Sequence, residues 1–503
     1  MTRFSPRSRL QTYSLILGVV MGIFTAGVGV PLIFADGAQV ISAGGTGNEP
    51  FLDNGVGATA DGTGGDAATG GADASGAAGT AGVDGSLPGL GGSGAGGAGA
   101  GGTGPGGAGS GPGGRASGPA IKLGVLLLDL GNVTALGFPA TGDVEESKKV
   151  WQHWVDTLNA SGGINGRPFE LHFVTYDPLS EESMRQACLF LTEQRKVAVA
   201  VASGGFIGPP MLCFTEEHNT PLIAAGSSGV PQEYYPRSKG LLFTTFMGSD
   251  RTVANLAHEV DRLGSLKGKR VGLLFDLRSG PASIVRRLEG ELKNRGYNVS
   301  HVSVFNADFG TAAGQVPVEV QQHRTKSDVI VNMSHALVFT QFVQDATSQG
   351  YTPPYFNSDW NGANSDFYYS NMPASYNGNL AFTITRLAEH RGNFPEPAID
   401  KQCREEASKA LGRQVPREEE VNFSRECAFW ILVSRGALAS GADLSPAGFS
   451  RGMRSLGRIG VSGFGGMAFG PNRFDGADQI RTTRWQADCK CVVPLTAFRP
   501  AQY

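Results

Sequence analysis

Positive charge is missing from a long stretch of this chain. No Lys or Arg occurs between Asp36 and Gly114, and large apolar residues are almost absent there, while Gly, Ala, Thr, Ser and Asp alternate. A segment of this composition buries too little apolar surface to offset the entropy that ordering its backbone would cost. We therefore predict a disordered Gly/Ala-rich linker over residues 36–118. A Gly-rich coil of about 80 residues has an end-to-end distance of roughly 50 Å, which suits a tether, with inert filler as the alternative.

Motifs of the common enzyme classes are also missing. The sequence has no GxSxG at a strand-to-helix turn, no HExxH, no P-loop and no dinucleotide-binding fingerprint. These absences argue against an enzyme, and we expect no cofactor. The 42 basic and 45 acidic residues nearly balance, without a basic stripe, which argues against nucleic-acid binding.

Cysteine is absent from the first third of the chain. Because no Cys follows the N-terminal apolar run, a lipobox-type lipid anchor is not available. An even number of cysteines in an exported chain suggests disulfides, although the sequence alone does not determine their pairing. We favour closure of short loops, which pairs Cys188 with Cys213. The same argument pairs Cys403 with Cys427.

The last two cysteines, Cys489 and Cys491, are either bridged to each other or free. A metal site built on this Cys-Lys-Cys pair lacks a CxxC partner and clustered histidines. We therefore expect no metal.

The first 35 residues are typical of an export segment. Arg3, Arg7 and Arg9 precede an uncharged apolar run from Tyr13 to Ala35. Positive residues ahead of an apolar stretch keep the N-terminus inside and send the remainder across the membrane. The length suits a signal-anchor transmembrane helix, and the small residue at its end also allows cleavage of a signal peptide. In both cases we expect an exported, extracytoplasmic protein, membrane-tethered or secreted.

Early in the globular part, a helix, a glycine stop, a turn and a strand follow one another. Apolar residues keep the three-and-four spacing of an amphipathic helix over 144–158. The glycine pair at 162–163 can adopt the left-handed conformation that ends a helix. The Asn-Gly pair at 165–166 turns the chain, and the β-rich run 169–176 predicts a strand. This joint is typical of an α/β domain.

Short apolar runs alternate with helical patterns throughout residues 119–503. The runs at 121–128, 197–202, 270–275 and 328–333 are typical of strands buried on both faces. Their alternation with helices predicts α/β architecture, and two successive halves of this kind predict two lobes. Ligands of such sheets bind beyond the carboxyl ends of the strands.

Four segments then occur in a recognisable order: GGINGRP at 162–168, SGG at 203–205, TPLIAAGSS at 220–228 and KGKRVGLLFD at 267–276. In this order they resemble type I periplasmic binding proteins. The most similar branch is the leucine/isoleucine/valine-binding group of ABC transporter substrate-binding proteins. The resemblance covers most of residues 120–503.

This resemblance implies a two-lobed clamp in which each lobe is a doubly wound, mainly parallel sheet flanked by helices. Lobe 1 would comprise about 119–243 plus 377–455, and lobe 2 about 244–376 plus 456–503. It further implies a solute-binding protein that captures an amino acid or related carboxylate by hinge closure. Such a protein would deliver its ligand to the membrane permease of an ABC-type importer.

In amino-acid-binding relatives, hydroxyls and backbone amides at two first-lobe strand exits hold the ligand carboxylate. Neutral donors can cradle a carboxylate in this way. Helix capping and loop packing are the alternative roles. This chain departs from its relatives where Gly205-Phe206 replaces a hydroxyl-bearing pair. The matching positions are Ser203, Gly204, Phe206, Ser227 and Ser228.

The second lobe supplies three further candidates by resemblance. Asp359 matches the acidic residue that meets the ligand ammonium, and Trp360 could form an apolar or cation–π wall beside it. Arg278 stands where relatives have an Ala-Tyr-Gly segment, and it could pair with a carboxylate-rich ligand. The alternatives are a turn-forming acid, a core tryptophan and a solvated loop arginine.

A second function is compatible with the same clamp. The protein could be a ligand sensor or a cell-surface recognition module without transport. The long linker favours this alternative, because many importer-bound relatives carry only a short lipid-anchored leader.

Overall fold

The computed structural model describes residues 115–502 with short gaps. The predicted export segment 1–35 and the linker up to residue 114 lie outside the described residues, as do Ser227 and Ser228. The gaps are 136–141, 227–229, 363–364 and 387.

The first lobe is built on a parallel sheet. Its strands are β1 (Ile121–Leu128), β2 (Phe169–Tyr176), β3 (Val199–Ala202), β4 (Leu222–Ala224) and β5 (Leu242–Thr244). They pair in the order β2-β1-β3-β4-β5, and every pairing is parallel. Strands β3, β4 and β5 are buried throughout because helices cover both faces, which explains their continuous apolar sequence.

Two helices of this lobe begin at side-chain caps. The carboxylate of Asp143 accepts from the backbone N–H of Glu145 at 2.7 Å, and Ser180 caps a later helix in the same way. Two of the helices continue as π-helical turns, over Phe190–Gln194 and Cys213–Glu217. The helices are α1 (Gly131–Ala135), α2 (Val144–Ala160), α3 (Glu181–Leu189), α4 (Pro210–Leu212) and α5 (Tyr234–Arg237).

The second lobe holds a larger, mixed sheet. Its strands are β6 (Arg270–Asp276), β7 (Asn298–Phe305), β8 (Val329–Met333), β9 (Tyr355–Asn357), β10 (Leu380–Thr383), β13 (Gln479–Gln486), β14 (Cys491–Pro494) and β15 (Arg499–Pro500). The order is β14-β13-β10-β9-β8-β6-β7, with β15 on β13. The strands from β6 to β10 pair in parallel, whereas β13 pairs antiparallel with β10, β14 and β15. A separate hairpin pairs β11 (Arg458–Ile459) with β12 (Met467–Ala468).

One of the later helices, Glu420–Ala439, packs against the first lobe. Trp430 stacks on Trp154 of α2 at 6.4 Å between ring centroids, which brings the long helix that carries it back to the first lobe. Within the described parts of the chain, no helix has the length and apolar character needed to cross a membrane. The helices are α6 (Ser249–Arg262), α7 (Ser283–Asn294), α8 (Phe309–Lys326), α9 (Ala336–Ser348), α10 (Asp366–Tyr369), α11 (Ala398–Leu411), α12 (Glu420–Ala439) and α13 (Pro446–Arg454).

The joint between α2 and β2 has the predicted form, and it also holds the end of the linker. Gly163 has a φ of 65°, and a Cβ there would lie 2.2 Å from the carbonyl oxygen of Arg167, so only glycine fits. The backbone N–H groups of Ser117 and Gly118 both donate to the carbonyl of Gly166, at 3.1 and 2.9 Å. Residues 116–118, which composition assigned to the linker, are therefore bonded to the first lobe.

The lobe boundaries differ from the expected ones at one crossing. Strand β10 pairs in the second sheet, although the expected return to lobe 1 began at residue 377. The chain leaves the second lobe only after β10, where Arg386 N–H donates to the carbonyl of Gly463 at 2.8 Å. The expected boundary fell before β10 because this short strand has no distinctive pattern.

The six cysteines lie in three pairs, as expected from short-loop closure. Cys188 pairs with Cys213 at a Cα–Cα distance of 6.4 Å, and Cys403 with Cys427 at 6.1 Å. Cys489 and Cys491 also pair with each other, at 5.1 Å, which selects the bridged alternative for these two.

The pairing predicts unequal contributions to stability. Replacing Cys188 and Cys213 together by Ala should lower the free energy of unfolding by about 3 kcal/mol, because the bridge closes a loop of sequence separation 25 in the unfolded chain. Urea denaturation under oxidising conditions measures the change. The same double replacement at Cys489 and Cys491, whose separation is 2, is the control and should cost less. Equal losses for both pairs would contradict the expectation.

Candidate ligand-binding site

The chain passes between the lobes beside the edge strand β5. Thr244 N–H donates to the carbonyl of Phe474 at 2.9 Å, and Gly476 N–H donates to the carbonyl of Thr244 at 2.7 Å. Between these two bonds, the carboxylate of Asp475 accepts from the N–H of Gly248 at 2.8 Å, just before α6 begins. The returning segment is thus tied to the first sheet and to the outgoing chain.

A small cavity lies between the lobes at the carboxyl ends of their strands. The exits after β4 and β5 and the first turn of α6 line one side, and the exits after β9 and β10 line the other. The space holds about one water molecule, so a larger ligand requires the walls to move apart. The lining residues are Gly226, Phe246, Met247, Thr252, Asp359, Trp360, Phe382 and Ile384.

Asp359 is buried in this wall and is already held by protein donors. Its Oδ2 atom accepts from the hydroxyl of Thr383 at 2.5 Å and from the N–H of Ile384 at 2.6 Å. The buried guanidinium of Arg481 also interacts electrostatically with this carboxylate. These contacts fix the β9 exit to β10 and partly balance the charge that was expected to meet a ligand ammonium.

Trp360 lines the cavity and has a buried hydrogen-bond donor. The residue is 3% exposed and its backbone N–H donates to the hydroxyl of Ser358 at 3.2 Å. Its indole Nε1 is buried and has no hydrogen-bond acceptor among the described residues. Because buried donors normally find a partner, this N–H is a candidate contact for a ligand acceptor.

The β3 exit is tied down by a tyrosine from β2. The hydroxyl of Tyr176 donates to the carbonyl of Gly204 at 2.6 Å and lies 3.0 Å from the carbonyl oxygen of Ser203. Phe206 packs edge-on against Tyr176 and Phe214, with ring centroids 5.2 and 5.9 Å apart. The structure therefore places Phe206 in the first-lobe core. Ser203 and Gly204 lie outside the cavity lining.

Arg278 spans the two lobes instead of lining the cavity. Its Nη2 atom donates to the carbonyl of Pro178, which follows β2, at 2.6 Å. The residue belongs to the β6 exit of the second lobe. This bond therefore connects the rims of both lobes when they are together.

A buried carboxylate organises the β6 exit. Asp276 is 1% exposed and accepts from the N–H and the hydroxyl of Ser279, at 3.0 and 2.9 Å, and from the N–H of His335. Burial raises the pKa of Asp276 to about 6, although these hydrogen bonds oppose the rise. Desolvation and the nearby Arg278 cation lower the pKa of His335 to about 3. At physiological pH His335 is therefore neutral, whereas Asp276 is largely ionised and depends on these hydrogen-bond donors.

Several lining residues were missed from the sequence. Phe246 and Met247 directly follow the apolar run of β5, and this run at 241–245 could have identified another first-lobe strand exit. Phe382 and Ile384 belong to or follow β10. No distinctive sequence signal marks that strand.

Two α/β lobes joined by crossing segments, with a cavity at opposed strand exits, define the two-lobed binding-protein fold. Solved structures share this fold. A possible leucine/isoleucine/valine-binding protein from Rhodopirellula baltica SH 1 superposes with a TM-score of 0.56 at 12% identity, over 76% of this chain and 97% of that one.

Two further neighbours have more specific names. A fatty acid ABC transporter substrate-binding protein from Thermomonospora curvata has a TM-score of 0.54 at 18% identity, over 76% of this chain and 93% of its own. An ABC transporter substrate-binding protein from Desulfitobacterium hafniense, in complex with Leu, has a TM-score of 0.51 at 15% identity, over 75% of this chain and 100% of its own. At these identities the likeness shows the fold alone.

The sequence itself matches the family model described as periplasmic binding protein over residues 121–490. The chain belongs to the periplasmic binding protein family. Membership implies an extracytoplasmic location, and members of such families are solute-binding proteins that are generally not enzymes. No curated protein matches the sequence.

The buried Asp276 carboxyl predicts a pH-dependent stability. Its folded-state pKa of about 6 lies above the unfolded value of about 3.9, so the folded protein retains the proton longer. The contribution of this group to stability therefore falls as the pH rises from 4 through 6. Asp276→Asn cannot ionise, so its stability relative to the parent should rise by about 2 kcal/mol between pH 4 and pH 7.

Urea unfolding of both proteins across this range measures the difference. Asp328→Asn is the control, because the exposed Asp328 pairs with Arg270 and has a pKa lowered to about 2. Its difference from the parent should stay constant above pH 5. A constant difference for Asp276→Asn would contradict the prediction.

Proposed function

We propose that this protein captures a small carboxylate with an apolar body, such as an amino acid or a related acid, between its two lobes. The observation that carries the proposal is the cavity whose walls come from opposed strand exits of both sheets. A ligand that contacts both walls binds the closed arrangement more tightly than the open one and so shifts the population towards closure.

The lining suits such a ligand. Phe246, Met247, Phe382 and Ile384 offer apolar surface, and the indole N–H of Trp360 can donate to a carboxylate oxygen. Leu and a fatty acid, which appear in the titles of two structural neighbours, both combine a carboxylate with an apolar body.

Two polar features extend this proposal. Gly226 lies two residues after β4 with a φ of 67°, and a Cβ there would lie 3.0 Å from Thr244, so the backbone comes close to the β5 exit. Ser227 and Ser228 follow directly and are proposed to hold the ligand carboxylate. Asp359 is proposed to meet an ammonium group. Its existing bonds to Thr383 and Ile384 orient the carboxylate for this role.

Delivery to the permease of an ABC-type importer is proposed as the purpose of capture. The family and the titles of structural neighbours support it. The N-terminal apolar segment is proposed to keep the protein at the membrane or to direct its secretion.

Ligand sensing without transport is the second candidate, supported by the long Gly-rich segment of the sequence. Affinity purification from membranes distinguishes import from sensing. Recovery of a permease supports import, and recovery of a kinase supports sensing.

A thermal-shift screen of the full chain tests capture. Amino acids, fatty acids and aromatic acids are added separately, and a ligand of the native state should raise the unfolding temperature with increasing concentration. Calorimetric titration of the hits should then give one site per chain. A folded protein that binds no member of the three classes would contradict the proposed ligand class.

Trp360→Phe tests the proposed donor within the cavity. The variant keeps an aromatic ring and removes the N–H, so affinity for the identified carboxylate should fall about tenfold, as expected for one lost hydrogen bond of about 1.4 kcal/mol. Trp485→Phe is a matched control, because Trp485 is 2% exposed, also has an indole N–H without an acceptor among the described residues, and lies outside the cavity lining. Equal affinity losses in both variants would exclude the assigned role of Trp360.

A further inference from the structure

A cluster of chemically active side chains lies on β7 and α8 of the second lobe. His301 Nε2 is 3.0 Å from Glu319 Oε2, and the imidazoles of His301 and His323 are 4.7 Å apart between centroids. One donor atom from each of these three residues lies within 4.8 Å of the other two. The sequence suggested no clustered histidines, and the strand-to-helix fold overturns that expectation. We call this set the β7–α8 cluster.

We propose that the β7–α8 cluster binds a divalent transition-metal ion, with Zn²⁺ as the representative ion. Two imidazole nitrogens and one carboxylate oxygen are a donor set that zinc uses in proteins, with water in the fourth position. The same nitrogen-rich set does not suit Ca²⁺ or Mg²⁺, which prefer oxygen ligands.

The hydrogen bonds around His323 allow it to act as a ligand. Its Nε2 lies 2.8 Å from the hydroxyl of Ser303, and its Nδ1 lies 3.1 Å from the hydroxyl of Ser327. Ser303 donates its only hydroxyl proton to Glu319, so in the metal-free network His323 Nε2–H donates to Ser303 and Nδ1 accepts from Ser327. A metal would replace the Ser303 contact, and the other tautomer, in which Nδ1–H donates to Ser327, would then leave the Nε2 lone pair for the ion. This arrangement supplies the outer-shell partner that metal-bound histidines usually have.

Ser303 connects the two halves of the cluster. Its hydroxyl is 2.5 Å from Glu319 Oε2 as well as close to His323. If this network only supplied hydrogen-bond partners to buried polar groups, Ser303, Glu319 and His323 would be sufficient. His301 adds a second imidazole nitrogen to the same carboxylate oxygen, which is the feature that points to a metal.

The cluster has both a rigid base and an entrance. His323 is fully buried against β6, and a Cβ on Gly272 would lie only 2.4 Å from its Nδ1 atom. The side chains of His301 and Glu319 remain 18% and 28% exposed, so an ion can reach them from solvent. His323 lies near the C-terminus of α8, at the end of the sheet away from the ligand cavity. The site is therefore separate from the proposed function.

Calorimetric titration of the full chain with ZnCl₂, after removal of metals with a chelator, tests the site. The parent should bind one Zn²⁺ with high affinity, and Zn²⁺ should raise its unfolding temperature. His301→Ala and Glu319→Gln should each weaken this binding by at least about 100-fold, since even outer-shell changes cost 10–100-fold. Both residues are partly exposed, and metal-free thermal unfolding verifies that the variants fold.

His153→Ala is the matched control, because His153 forms a comparable pair with Glu406 at 2.8 Å in the first lobe and, among the described residues, has no second histidine in a cluster with it. It should bind Zn²⁺ like the parent. X-ray absorption of the zinc complex should show two imidazole nitrogens and a carboxylate oxygen. Absence of binding in the parent, or unchanged binding in the His301→Ala, Glu319→Gln double variant, would overturn the proposal.

Discussion

The ladder between β5 and the segment that carries Asp475 is the constraint on which the cleft depends. Backbone hydrogen bonds of Thr244 to Phe474 and Gly476 extend the edge of the first sheet. The added segment, 474–476, follows the second-lobe strands β6 to β10 in the chain. Asp475 then fixes the start of α6 through Gly248. Because outgoing and returning chain are bonded to each other, the strand exits of the two sheets face one another, and the cavity forms between them.

Buried carboxylates at the second-lobe exits hold the site in shape. Asp276 accepts hydrogen bonds from Ser279 and from the backbone N–H of His335. Asp359 accepts hydrogen bonds from Thr383 and from the backbone N–H of Ile384. Both groups obtain the donors that a buried carboxylate requires. Each carboxylate also interacts with a nearby arginine, Asp276 with Arg278 and Asp359 with Arg481. The exits are thus organised before any ligand arrives, which reduces the entropy that binding must overcome.

The candidate site was predictable in position more than in detail. Parallel strands deliver their carboxyl ends to one edge, so the apolar runs before Gly226 and Asp359 locate two walls of the cavity. Side-chain direction was not predictable. Phe206 follows a strand exit in the sequence but turns into the core against Tyr176, and Arg278 reaches across the cleft to Pro178. These choices depend on packing partners far away in the chain.

The sequence by itself determined the α/β class, the helix-stop joint at 162–168 and the family, and it favoured the short-loop cysteine pairs without fixing them. Each of these depends on local spacing, on turn chemistry or on the order of segments. Only the tertiary structure decided that β10 joins the second sheet, that Phe246 and Trp360 share a cavity, and that His301 and His323 meet beside Glu319. The reason is physical: contacts between residues distant in sequence arise from sheet order and lobe crossing, which local periodicity does not encode.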